Sequence, residues 1–215
     1  YNDTGEVTLQ IESHYDKHRH IDESIIKDGN GRLLGHFWFH SNDEVARHEL
    51  YENGALVERK LFHSNGQRAR RETYDDGTLI EQVHFDPNGE ETVFEQFDKK
   101  GNIRIRRWRI DESAQGVYFY VFQSDGSYQI DEFVMTNVAD SRLVSKRAYN
   151  ENGQLSCEVT YNVRGDKSCE VNYFDSGRPK EEIHYHGNGQ MRRRILFDKQ
   201  GRQKLIQRFD ERGRR

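Results

Sequence analysis

Residues 149–177 read YNENGQLSCEVTYNVRGDKSCEVNYFDSG. Gly153, Gly165 and Gly177 stand twelve residues apart, and each closes a group of turn formers such as Asn150-Glu151-Asn152-Gly153. Asp or Asn opens a type I turn by bonding its own backbone, and Gly closes it in the left-handed conformation. About eight residues remain between turns, a length that suits a strand and is short for a helix. The repeat is therefore one strand plus one turn, and a chain of such units makes an antiparallel meander.

The same step runs outward from this stretch. Gly189, Gly201 and Gly213 continue it, and Gly54, Gly66, Gly77, Gly89 and Gly101 form an earlier row with steps of 12, 11, 12 and 12. Asp86-Pro87-Asn88-Gly89, Asp98-Lys99-Lys100-Gly101 and Asp198-Lys199-Gln200-Gly201 repeat the turn chemistry. An aromatic residue precedes most turns, as at Phe62, Tyr74, Phe85 and Phe97. The reading is a single elongated repeat domain over residues 1–215, all-β, a long single-layer antiparallel β-meander of roughly 16 to 17 strands. Stretches 51–109 and 146–215 are the most regular. Stretches 1–50 and 110–145 are irregular, with turns expected near Asp3-Thr4-Gly5, Asp16-Lys17-His18, Asp28-Gly29-Asn30-Gly31 and Ser124-Asp125-Gly126.

Composition agrees with a thin sheet. Hydrophobic residues make up 33% of the chain and charged residues 33%, against typical shares of ~45–50% and ~25%. Such a balance would fit disorder, but aromatics reach 12% and glycine outnumbers proline 18 to 2, which disordered segments do not show. A large dry core is excluded. No apolar run approaches the ~18–20 residues of a membrane-spanning helix, no signal peptide is visible, and a cytoplasmic setting is expected.

A type I turn followed by a glycine bulge adds one residue per hairpin and keeps the parity of the strands. Counting from each glycine, even positions then form one face and odd positions the other. That register aligns Glu58, Arg70 and Glu81, pairs Glu181 with Arg193, Glu170 with Lys180 and Glu182 with Arg192, and sets Arg194 against Lys204. The even face carries Leu155, Val159, Val171, Ile183, Met191 and Ile195. It also carries an aromatic ladder of Tyr149, Tyr161, Tyr173, Tyr185 and Phe197, and the odd face is wet.

Cys157 and Cys169 face each other in this register. They read either as a cross-strand disulfide or as two small apolar residues, and duplication of Ser-Cys-Glu-Val explains the pair without redox chemistry. His14, His18, His20 and Asp22 offer metal-ligand types, but their spacing is loose for three or four converging ligands, and they read as solvated. Arg104, Arg106 and Trp108 share the odd face of one strand. Segment 190–215 holds ten Lys/Arg against three Asp/Glu, a net charge of +7 against −11 for the rest. This basic strip reads either as a track for a polyanion such as nucleic acid or teichoic acid or, the favoured reading, as a protected sheet edge, and the acidic remainder argues against a general nucleic-acid role. There is no phosphate-cradling loop, nucleophile elbow or zinc signature. No catalytic residue, cofactor or metal ligand is expected.

The units Tyr149-Asn-Glu-Asn-Gly-Gln-Leu155, Tyr185-His-Gly-Asn-Gly-Gln-Met191 and Phe62-His-Ser-Asn-Gly-Gln-Arg68 resemble the MORN-variant repeats of the bacterial YwqK family. The chain lacks the extra glycines of that family's second half-repeat. Phe209-Asp-Glu-Arg-Gly213 looks like the YD repeats of Rhs shells. A third likeness is to the β-meander add-on domain of Gram-positive accessory-secretion and teichoic-acid glycosyltransferases. It implies an extended sheet that helps bind the acceptor or the partner subunit. The repeat pattern reaches both ends of the sequence, so an excised domain is expected.

The leading expectation is a non-catalytic repeat scaffold that binds a protein or an extended polymer on one sheet face. Tyr149, Tyr161, Tyr173, Tyr185, Phe197, Arg193, Arg104, Arg106 and Trp108 are the candidate contacts. The alternatives are the acceptor- or partner-binding sheet of a bacterial glycosyltransferase, and a self-assembling spacer or shell repeat. Homo-oligomers through the sheet edges or the apolar face belong to the same expectation.

Overall fold

A computed structural model of the chain describes residues 8–123 and 127–215, apart from the side chain of Phe122. The turns expected at Asp3-Thr4-Gly5 and Ser124-Asp125-Gly126 lie outside the described residues. Among the described residues the chain is all-β, with 17 strands that pair antiparallel as a meander. It divides into two compact units, Tyr1–Ile103 and Arg104–Arg215.

Unit one holds β1 (Leu9–Tyr15), β2 (Ile21–Asp28), β3 (Leu33–Phe39), β4 (Val45–Glu52), β5 (Ala55–Phe62), β6 (Arg68–Asp75), β7 (Thr78–Phe85) and β8 (Glu91–Phe97). Each pairs antiparallel with the next. The boundary falls at the start of β9 (Ile103–Arg109). Unit two continues with β10 (Ala114–Phe122), β11 (Tyr128–Asn137), β12 (Leu143–Tyr149), β13 (Leu155–Tyr161), β14 (Lys167–Tyr173), β15 (Pro179–Tyr185), β16 (Met191–Phe197) and β17 (Gln203–Arg208). These also pair in chain order.

The turns form as their sequence dictates. Gly165 N donates to Asn162 O at 2.9 Å, and Asn162 N donates to Asp166 O at 2.9 Å. Asn162 Oδ1 accepts from Arg164 N and Asp166 N. Gly165 sits at φ +84°, a region that strains any L side chain. The 11-residue step from Gly66 to Gly77 reflects a different turn. Asp76 and Gly77 both have positive φ, 47° and 75°, and Asp75 pairs directly with Thr78, which is a two-residue type I′ hairpin. In the irregular stretches Arg19, Asp43 and Ser141 occupy the left-handed position instead of glycine.

The glycine bulge alone would keep the assumed parity, but each hairpin from β12 to β17 carries a second slip. Tyr161 pairs with Lys167 while Thr160 pairs with Cys169, so Ser168 is skipped. The same slip skips Ser156, Lys180, Arg192 and Lys204. Where the skipped residue carries a hydroxyl, it closes the break. Ser156 Oγ donates to Ala148 O at 3.0 Å, Ser168 Oγ to Thr160 O at 3.1 Å, and Thr92 Oγ1 to His84 O at 3.2 Å.

A second bulge reverses parity. Each face therefore takes even positions from one strand and odd positions from the next. Val159 and Ile183 flank Glu170 on one face, and Val171 and Ile195 flank Glu182 on the other. The expected division into an apolar and a wet face does not hold. The register also keeps equal positions apart: Val159, six residues past Gly153, opposes Glu170, five past Gly165, so the counts of residues opposed along Cys157–Thr160 add to an odd number. Cys157 pairs with Asn172, and Cys169 with Thr160 and His184. The two thiols lie on opposite faces and are free.

The expected charge partners change too. Glu181 opposes Leu196, Glu170 opposes Ile183, Glu182 opposes Ile195 and Arg194 opposes Gln207. Arg194 is the cation that reaches Glu181, at 2.5 Å. Arg70 pairs with Glu72 at 2.9 Å, and Arg71 reaches Glu81 at 2.7 Å.

Turns on one edge are also tied to each other. His63 Nε2 lies 3.3 Å from Phe85 O, and Asn65 Nδ2 donates to Pro87 O at 2.9 Å. His186 with Phe209 O and Asn188 with Glu211 O repeat the arrangement. The His-x-Asn-Gly turns thus bind the turn two repeats on.

Candidate interaction face

Side chains alternate along a strand, and directly opposed residues share a face. In unit two, this places Arg106 and Trp108 of β9 opposite Tyr118 and Gly116 of β10, which oppose Phe133 and Met135 of β11. Phe133 opposes Arg147, Arg147 opposes Glu158, and the row continues through Val171, Glu182, Ile195 and Ile206. A parallel row runs Ser145, Thr160, Cys169, His184, Arg193 and Arg208. We call this the Trp108 face, and the opposite one the Val159 face.

The aromatic ladder expected from the sequence splits between them. Tyr149, Tyr173 and Phe197 follow Arg147, Val171 and Ile195 by two positions and join the Trp108 face. Tyr161 and Tyr185 follow Val159 and Ile183 and lie on the other. The hydroxyls agree, since Tyr173 donates to Glu158 at 3.3 Å and Tyr185 to Glu170 at 3.1 Å. The parity reversal that breaks the ladder also unites two groups the sequence kept apart. Arg104, Arg106, Trp108, Arg193, Tyr149, Tyr173 and Phe197 share one face.

The centre of that face is an aromatic cluster. Trp108 stacks on Tyr118 with ring centroids 4.7 Å apart, and Phe133 lies 4.8 Å from Tyr118. Gly116 is required there, because a Cβ would meet Phe133 at 2.9 Å and Trp108 at 3.0 Å. Tyr118 leads to Tyr120 at 5.9 Å and on to Tyr128 at 6.3 Å. Phe133 is buried at 6% exposure while Tyr128 stays 49% exposed, so the cluster runs from a covered centre to an open rim. The Arg147 guanidinium lies 5.7 Å over the Phe133 ring and donates to Glu158 at 2.7 Å. Tyr118, Tyr120, Phe133 and Arg147 were not singled out from the sequence. They fall in or beside the irregular stretch 110–145, where the twelve-residue count gives no register.

Electrostatics keep these side chains as donors. Burial, followed by the neighbouring Tyr118, raises the Tyr149 hydroxyl above its ordinary value. Burial and then Glu158 do the same to Tyr173. The Glu158 carboxylate raises Arg147 by hydrogen bonding, against burial. Neutral phenols and a permanent cation over an aromatic surface can grip a polar chain by stacking and hydrogen bonding.

Near this cluster the β11–β12 pairing covers only Glu132–Thr136 of β11. The start of β11 and the β12–β13 turn enclose a notch of about 600 Å³ lined by Gln123, Tyr128, Gln129, Ile130, Glu151 and Asn152. Elsewhere, His20 Nδ1 pairs with Asp43 at 3.1 Å, and that carboxylate raises the imidazole. In the basic C-terminal segment, Arg202 pairs with Asp198 at 2.8 Å and Arg214 with Asp210 at 2.9 Å, within their own turns. Among the described residues, Cys169, Glu182 and His184 converge with metal-ligating atoms.

A MORN repeat variant model matches residues 146–162, the β12–β13 hairpin. No curated protein matches. Among solved structures the chain is similar to one described as "GtfA/B complex bound to UDP and GlcNAc", at 13% identity and a TM-score of 0.29, covering 57% of this chain and 23% of that one. It is similar to the "TcdB2-TccC3" structure at 11% identity and a TM-score of 0.26, covering 91% and 13%. A porin-like protein from Bacteroides uniformis matches at 9% identity and a TM-score of 0.20, covering 93% and 94%. The chain spans under a quarter of the length of the first two. At such TM-scores these likenesses carry no argument about function.

Proposed function

We propose that this MORN-variant, YwqK-like repeat chain is a non-catalytic scaffold that binds a protein or an extended polymer on the Trp108 face of unit two. One observation carries the reading. The register gathers the Arg104–Arg106–Trp108 group and Tyr149, Tyr173, Phe197 and Arg193 onto a single face, around the Trp108–Tyr118–Phe133 cluster. Aromatic residues and arginine are the side chains enriched where proteins hold partners. A single sheet layer also leaves both faces accessible to a long ligand.

The test compares the two faces. Neutral and anionic polysaccharides and unfolded peptides are titrated onto the chain, and the retained ligand is carried to two double variants. Tyr128→Ser with Arg106→Glu alters the Trp108 face, and Tyr161→Ser with Tyr185→Ser alters the Val159 face. The expected result is a loss of at least ~10-fold for the first and under ~2-fold for the second, since each tenfold is ~1.4 kcal/mol. Equal effects from both pairs overturn the proposal.

A further inference from the structure

The Ser-Cys-Glu-Val sequence occurs twice, at 156–159 and 168–171, and the two copies meet different partners. In the second copy Cys169 of β14 stands directly opposite His184 of β15. Glu182 precedes His184 by two positions and so shares its face. The thiol sulfur, one imidazole nitrogen and one carboxylate oxygen all lie within 4.8 Å of one another. His184 Nε2 contacts Glu182 Oε1, and all three residues are half-buried.

We propose that Cys169, Glu182 and His184 form a three-ligand site for a divalent transition-metal ion, zinc being the best fit. The donor set is one thiolate, one imidazole and one carboxylate, the three ligand types zinc takes in proteins. Bonds of ~2.3 Å to sulfur and ~2.0–2.2 Å to nitrogen and oxygen place tetrahedral donors within the reach of small side-chain rotations from the observed separations. Two ligands two apart on one strand and a third opposite on its neighbour converge without backbone movement. The fourth position opens to the Trp108 face, where water or a donor from a bound partner completes the shell.

The first copy is an internal control. Cys157 opposes Asn172, and Glu170 precedes Asn172 by two positions, so the frame is the same with an amide in place of the imidazole. Its carboxylate is held by Lys167 at 2.9 Å, Tyr185 at 3.1 Å and Asn172 at 3.4 Å. Asn is a poor ligand for zinc, so the fold supports the frame with or without a metal donor. On the second copy's far side Arg193 opposes His184, and its cation weakens ion binding.

The experiment titrates the full chain with Zn²⁺ against a chromophoric chelator and with Co²⁺ by absorption spectroscopy. One ion per chain is expected, with a thiolate-to-cobalt band and tetrahedral ligand-field bands. Cys169→Ser and His184→Asn each weaken Zn²⁺ binding by at least ~100-fold, and Cys169→Ser abolishes the thiolate band. Cys157→Ser leaves both unchanged, and Arg193→Gln tightens binding. His184→Asn copies the neighbouring repeat, so its fold is safe, and circular dichroism checks each variant. Absence of saturable Zn²⁺ binding, a Co²⁺ complex without a thiolate band, or equal loss in Cys157→Ser overturns the site. Polymer binding by the Trp108 face is measured without metal, so either idea can fail alone.

Discussion

The two units share turns, bulges and strand lengths, yet they bury different chemistry. Unit two centres on Phe133, Val159, Ile183 and Ile195. Unit one buries Val83 but also Glu49 and Glu72, which are 3% and 4% exposed. Glu49 receives Arg47, Arg59 at 2.7 Å and the Tyr51 hydroxyl at 2.5 Å. Arg59 opposes both Glu49 and Glu72 and reaches Glu72 at 3.1 Å, and Tyr74 donates to Glu72 at 2.6 Å. Charges can occupy the middle of a sheet when each is paired across the strands and every lone pair has a donor. A one-layer sheet makes this feasible because the arginine heads keep one side in water. The lesson is that this repeat specifies its turns tightly and its interior loosely.

Glu49→Ala is the largest break in that comparison. It takes their acceptor from Arg47 and Tyr51, leaves Arg59 with Glu72 and Tyr74, and costs unit one about 3 kcal/mol, read as a lower urea midpoint for its transition. Acid acts on the same residue. Burial alone would raise Glu49, but hydrogen bonds from Arg47, Tyr51 and Arg59 outweigh it and hold the carboxyl at about 2. The group ionises more readily folded than unfolded, so its stabilisation is complete above pH ~4.5 and fades as pH falls toward 2. Unit one loses up to ~3 kcal/mol across that window, and Glu49→Gln removes this step from a pH-stability profile.

Ile195→Ala tests the other side. Its side chain is 3% exposed, and truncation costs unit two about 2–3 kcal/mol while leaving unit one's transition in place. A shared shift of both transitions in either variant would break the comparison between the units. Ser168→Ala is smaller. It removes the hydroxyl that closes the register break at Thr160 and costs about 1 kcal/mol, seen as faster amide exchange in β13 and β14. The smallest effect is none. Mild oxidation leaves Cys157 and Cys169 unlinked within the chain, measured by mass after alkylation, because they occupy opposite faces.

Most of the architecture was legible because turn chemistry is local. Asn150, Asn162, Asp198 and Asp210 each bond amides within their own four or five residues, and the chain needs no distant partner to do so. Faces were not legible. They depend on whether one extra residue enters each hairpin, and Ser156 or Ser168 gives no local sign of being skipped. The grouping of the candidate contacts followed from an assumed parity, and the register regroups them. The buried Glu49 and Glu72 were hidden for the same reason, since a charged residue looks solvated until its cross-strand neighbours are known.

The sequence by itself determined the strand-and-turn repeat, its length, its antiparallel order and the absence of a thick core, because glycine and Asx turns act over a few bonds. Only the tertiary structure decided which side chains share a face. Register is a cooperative outcome of every hydrogen bond along a strand pair, and a single-residue bulge moves an entire row of Tyr, Arg and Cys from one side of the sheet to the other.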